Sequence, residues 1–127
     1  MKTHHLIENI CLFGEPCRTF VVALVVPSKV YVERIGHELG RQILFQALVR
    51  DIDVIKHVLI NMTDHGIRNG LKKFEIPRTI TLVNEDWTPE AGLLTASFKV
   101  KRKPIQYLYQ NDIDRMYKEQ EEKSQHD

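Results

Sequence analysis

Residues 20–27 read FVVALVVP, the longest nearly unbroken apolar run in the chain. The run is too short to cross a bilayer, which takes about 20 apolar residues. It is rich in valine and continuous rather than alternating, so it predicts a strand buried on both faces. Such a strand needs an apolar layer above it and another below, and the rest of the chain has to supply both. The material is present, since 43% of the 127 residues are apolar, 28% are charged and the net charge is +1. That balance excludes wholesale disorder, which needs low hydrophobicity and high net charge. The length suits one domain with one modest core.

A second strand is expected over residues 10–13, paired with the run as a hairpin around Gly14 and Pro16. Helical spacing of Val32, Ile35 and Leu39 predicts a helix over 28–39, ended by Gly40. A short helix over 43–49 follows. Asp51 is a candidate N-cap for a longer one, with Val54, Ile55, Val58, Leu59 and Met62 on one face and Gly66 and Gly70 as possible ends. Residues 74–77 read as a turn or extended entry to a third strand over 79–83, and 84–97 as a long polar loop. Pro104 is placed to open a last helix whose apolar face holds Ile105, Leu108, Tyr109, Ile113, Met116 and Tyr117. Residues 119–127 are expected as an acidic flexible tail. The fold class is α+β, a small β-sheet (a hairpin plus a third strand) packed with helices.

Most catalytic patterns are absent. His4 and His5 are adjacent, and His57 and His65 lie eight residues apart, too far to chelate one ion unaided. His37-Glu38 begins like a zinc-protease motif, but Arg41 stands where the second histidine belongs. No metal site is expected. Cys11 and Cys17 cannot form a disulfide framework, and they read as free thiols of an intracellular protein. No Gly-x-Ser-x-Gly elbow or phosphate loop exists. The basic run Lys99, Lys101, Arg102 and Lys103 invites a nucleic-acid reading, but a net charge of +1 gives it little support. Lys99 remains, at the end of a glycine-containing loop. Its compact ammonium suits a phosphate or carboxylate in a site built elsewhere. From spacing alone it is an ordinary surface lysine in a basic cluster.

The segment around Lys99 resembles the C-terminal domain of long-chain acyl-CoA synthetases, in the adenylate-forming superfamily. The matching residues are L-x-x-FEIP at 71–77, WTPE-x-GL at 87–93 and LT-x-x-x-K-x-KR at 94–102. NICLFG at 9–14 and VALVVP at 22–27 match the family's strand pair, and Y-x-x-DIDRMY at 109–117 its last helix. The resemblance covers residues 6–118. It leans to the branch that prefers long, often polyunsaturated acids.

The resemblance implies a two-step reaction with ATP, Mg²⁺ and CoA, in which a long-chain fatty acid becomes acyl-adenylate and then acyl-CoA. It places the catalytic lysine at Lys99, between the acyl carboxylate and the α-phosphate; Lys101, Arg102 and Lys103 do not occupy the motif position. It makes residues 1–118 a C-terminal lid that swings between two poses, with the large N-terminal adenylation domain as partner. The family's nucleotide loop, acyl tunnel, hinge and membrane anchor are not in this sequence. The chain therefore reads as a truncated domain, inactive alone. The alternative is a free-standing, non-catalytic interaction module derived from that domain. The family implies an intracellular address, at endoplasmic reticulum, outer mitochondrial or peroxisomal membranes facing the cytosol. Without a partner domain, residues 22–26 and the last helix are expected to expose apolar surface.

Overall fold

The structure is a computed structural model that describes residues 7–14 and 19–126, the last three by backbone only. His4, His5 and the expected turn residues Pro16 and Cys17 lie outside the described residues. Three strands form one sheet: β1 (Ile7–Phe13), β2 (Val22–Pro27) and β3 (Thr79–Leu82), in the order β1-β2-β3. β1 runs antiparallel to β2, with Cys11 opposite Leu24, and β3 runs parallel to β2, with Leu24 opposite Thr81. The valine-rich run is thus the central strand, and every residue of β2 is buried.

Its side chains serve two layers in alternation, as the pleat requires. Ala23 and Val25 join a core with α1 (Lys29–Glu38), α2 (Phe45–Leu48) and α3 (Ile52–Arg68). Val22, Leu24 and Val26 join a second core with α4 (Arg102–Leu108), α5 (Gln110–His126) and the segment before them. Burying each large aliphatic side chain contributes about 1.5–3 kcal/mol. The expected exposure of residues 22–26 is not observed, because both faces of the sheet are covered within this chain, whereas in the stretch expected as the last helix Tyr107 and Leu108 are exposed. In β1 a register irregularity sets Ile7 opposite Pro27 and Asn9 opposite Val26. That extra residue switches the alternation, so Ile7 packs in the first layer with Ile10 and Leu12 while Cys11 and Phe13 face the second.

The first layer follows the sequence closely. α1 buries Val32 and Ile35, and the chain leaves it at Gly40, whose φ of 74° a side chain would resist. Gly36 lets α2 approach: a Cβ there would lie 2.7 Å from the Leu48 side chain. Asp51 caps α3 by accepting from the Asp53 and Val54 N–H groups at 2.9 and 3.3 Å. Val54, Val58 and Met62 are buried.

The second layer departs from expectation in three ways. Pro104 is the third residue of α4, still in the first turn, where its missing N–H has no helical partner to lose. Leu108 is 56% exposed, because α4 ends there and Tyr109 separates it from α5. The acidic stretch from residue 119 continues α5 to His126. Ile105, Ile113, Met116 and Tyr117 are buried as expected, and the Tyr117 hydroxyl donates to the Phe13 carbonyl at 2.8 Å.

Candidate functional site

The segment expected as a long polar loop is anchored at both ends. Trp87 is buried in the second core and donates its indole N–H to the Tyr109 hydroxyl at 3.2 Å. The chain then makes a single helix-like turn. Thr88 Oγ1 accepts from the Ala91 N–H at 3.2 Å. The Gly92 N–H donates to the Pro89 carbonyl at 3.0 Å and the Leu93 N–H to the Thr88 carbonyl at 3.3 Å. This nested pair of bonds closes helices through a left-handed residue, and Gly92 has φ 78°. Leu93 and Leu94 follow into the core. The pattern WTPE-x-GLL therefore has a physical account: aromatic anchor, hydroxyl cap, proline entry, left-handed glycine and two apolar anchors.

A short hairpin grows from this base. Leu94 pairs with Val100 in an antiparallel bridge, and the Lys101 N–H donates to the Leu93 carbonyl at 2.9 Å. The Thr95 N–H donates to the Lys99 carbonyl, and the Phe98 N–H to the Thr95 carbonyl, both at 2.8 Å. Phe98 has φ 66°. A turn followed by one left-handed residue is a common three-residue hairpin closure, usually made with glycine at that last position. A bulky side chain there costs about 1–2 kcal/mol. Lys99 follows directly, exposed at the tip, and its N–H donates to Thr95 Oγ1 at 3.0 Å. Among the described residues no hydrogen bond or ion pair joins its ammonium. Lys99 thus projects from a hydrogen-bonded mount.

The basic run divides by role. Arg102 lies over the Phe13 ring at 4.9 Å, and Arg78, from outside the run, over the Phe20 ring at 4.5 Å. Lys101 is the N-cap residue of α4, and Lys103 is exposed. Burial pushes the Cys11 thiol up from its usual pKa, and nearby Arg102 only partly offsets this, so Cys11 is a poor nucleophile. Among the described residues no three His, Cys, Asp or Glu side chains converge as a metal site requires, and no helix is long and apolar enough to cross a membrane. An open depression of about 550 Å³ lies against Gln46, Ala47, Arg50, Asp51 and Asn84, without Lys99. Sequence reasoning missed the Thr95–Lys99 turn; two apolar ends, at Leu94 and Val100, were its only signal.

No family model matches the sequence. The chain is 36% identical over 118 residues to long chain acyl-CoA synthetase 8 of Arabidopsis thaliana, covering 92% of this chain and 16% of that protein. It is 32% identical over 111 residues to long-chain-fatty-acid–CoA ligase 1 of Cavia porcellus, covering 87% and 16%. The chain thus spans about a sixth of the length of these curated relatives. Among solved structures, it superposes on the A-PCP didomain of a carboxylic acid reductase from Segniliparus rugosus, in complex with AMP. The TM-score is 0.77 at 21% identity, covering 94% of this chain and 15% of that one. The adenylation domain of a carboxylate reductase from Mycobacterium chelonae gives a TM-score of 0.72 at 21% identity, covering 88% and 16%. At that identity the likeness establishes the fold.

Proposed function

Because this chain is homologous to one stretch of the long-chain acyl-CoA synthetases, within the adenylate-forming enzymes, we propose that residues 1–118 act as the mobile C-terminal lid of an AMP-forming long-chain-fatty-acid–CoA ligase. Lys99 is its catalytic group. The observation that carries this reading is the exposed Lys99 ammonium at the tip of a hairpin whose base is buried. The partner is the large adenylation domain of the same enzyme, which would bring ATP, the fatty acid and CoA. The chain alone is inactive, and its membrane address would come from other regions.

The chemistry suits a positioned cation. A fatty-acid carboxylate oxygen attacks the α-phosphorus of ATP, the new O–P bond forms, and the bond to pyrophosphate breaks. Negative charge shifts onto the phosphoryl oxygens as it does so. The Lys99 ammonium offers three donors and a full charge to those oxygens and to the carboxylate. CoA then displaces AMP through its sulfur, a step in which Lys99 has no part once the lid has turned. No carboxylate cluster among the described residues fits Mg²⁺, which would be held by the nucleotide phosphates and the partner domain.

The test joins this chain to its large domain. Lys99→Ala is expected to slow pyrophosphate release about 10²- to 10³-fold. It should spare thioester formation from supplied acyl-adenylate. Unchanged adenylation would sink the assignment. A second reading, a free-standing non-catalytic module, draws on the sheet being covered on both faces without a partner. It predicts that joining restores no acyl-CoA formation at all.

A further inference from the structure

We propose that Thr95 is the positioning residue for Lys99 and sets the direction in which the ammonium leaves the hairpin. This rests on the role assigned to Lys99 above. Thr95 holds Lys99 on both sides of its Cα. The Thr95 N–H donates to the Lys99 carbonyl at 2.8 Å, and Thr95 Oγ1 accepts from the Lys99 N–H at 3.0 Å. With both backbone groups tied to one residue, the Cα–Cβ direction of Lys99 is set and only its side-chain torsions stay free.

The same threonine closes the rest of the turn. Its carbonyl accepts from the Phe98 N–H at 2.8 Å, and its hydroxyl lies 3.2 Å from Ser97 Oγ. The positive φ at Phe98 is unfavourable for a bulky residue, so the turn depends on these bonds to keep its shape. Valine at position 95 would fill the same volume and leave the Lys99 N–H without its acceptor. Thr95 is half-buried and Lys99, directly across the turn from it, is exposed, so the threonine acts on the reaction through the lysine.

Four proteins decide it: the joined enzyme as wild type, Lys99→Ala, Thr95→Val and Thr95→Ser. Thr95→Val is expected to lower kcat for adenylation about 10- to 100-fold, as a misaimed catalytic group does. KM for ATP and fatty acid should stay within about two-fold, since no substrate contact is lost. Thr95→Ser keeps the hydroxyl and should recover most of the rate. In the 127-residue chain, amide exchange at Phe98 and Lys99 should quicken about ten-fold or more in Thr95→Val, with the core amides unchanged. An unchanged kcat in Thr95→Val beside a crippled Lys99→Ala overturns the positioning role alone. A serine variant as slow as the valine variant does the same. An unimpaired Lys99→Ala removes the lysine role, and the positioning role with it.

Discussion

At the scale of single residues, Asp51 shows how one carboxylate can hold two pieces of chain. Its Oδ1 takes the first N–H groups of α3, and its Oδ2 takes Arg41 Nε at 2.9 Å. Partial burial works against the charged form, but the Arg41 bond and the backbone donors outweigh it and hold the carboxyl below its usual pKa. A depressed carboxyl contributes stability that is present above the unfolded pKa of about 3.9 and is lost as pH falls through the folded value. Asp51→Ala is therefore expected to cost about 1 kcal/mol at neutral pH. The cost should shrink as pH falls below the unfolded value and through the lower folded one, as the wild-type group protonates. Urea denaturation of both proteins across that range measures it. An equal loss at both ends would mean that the ionised carboxylate is not what stabilises the helix start. Asp51 was legible in the sequence as a cap, because a short acceptor before an apolar helical face has few other uses. Its tie to Arg41 was not, because that depends on the turn at Gly40 bringing Arg41 back beside it.

Among the elements, legibility followed periodicity. β2, α1 and α3 carry strong apolar spacing, and their cores fall where the spacing puts them. The stretch 84–101 has no period, and polar composition made it read as loop. Its order comes instead from single anchors, Trp87, Leu93 and Leu94, and from a left-handed glycine. The last helix failed differently. One apolar period runs across α4 and α5, and nothing in it marks the break at Tyr109, the residue whose hydroxyl holds Trp87. The mount of Lys99 therefore rests on features that local pattern cannot show. Gly92 tests this account. No atom lies within 4 Å of a Cβ placed there, so only the backbone conformation resists substitution. Gly92→Ala is expected to destabilise the chain by about 1 kcal/mol, the cost of a left-handed alanine. Gly92→Asn should cost less, since asparagine accepts that conformation more readily. Chemical denaturation of the two variants settles it, and an asparagine variant as unstable as the alanine one would point to a steric cause instead.

For the whole molecule, the decisive feature is that one strand serves both cores. Burial on both faces could be read from FVVALVVP, but which elements cover each face could not, since that follows from the parallel placement of β3 and the return of the chain through α4 and α5. Ala23 and Val25 point into one layer and Val22, Leu24 and Val26 into the other, so neither layer can lose its packing without exposing β2 to water. Unfolding should then be a single transition. The chain has one tryptophan, and Trp87 sits in the second layer, whereas α1 and α3 in the first layer contribute much of the helix signal. Trp87 fluorescence and far-ultraviolet circular dichroism are therefore expected to give the same midpoint in urea, as two-state behaviour requires. Leu24→Ala removes a fully buried side chain from the second layer only, at a cost of about 2–5 kcal/mol, and should lower both midpoints together. If fluorescence moved first and the helix signal stayed, the layers would be separable units. The chain could then loosen around Lys99 while its first layer remained folded, and the hairpin would have a less rigid base than the shared strand implies.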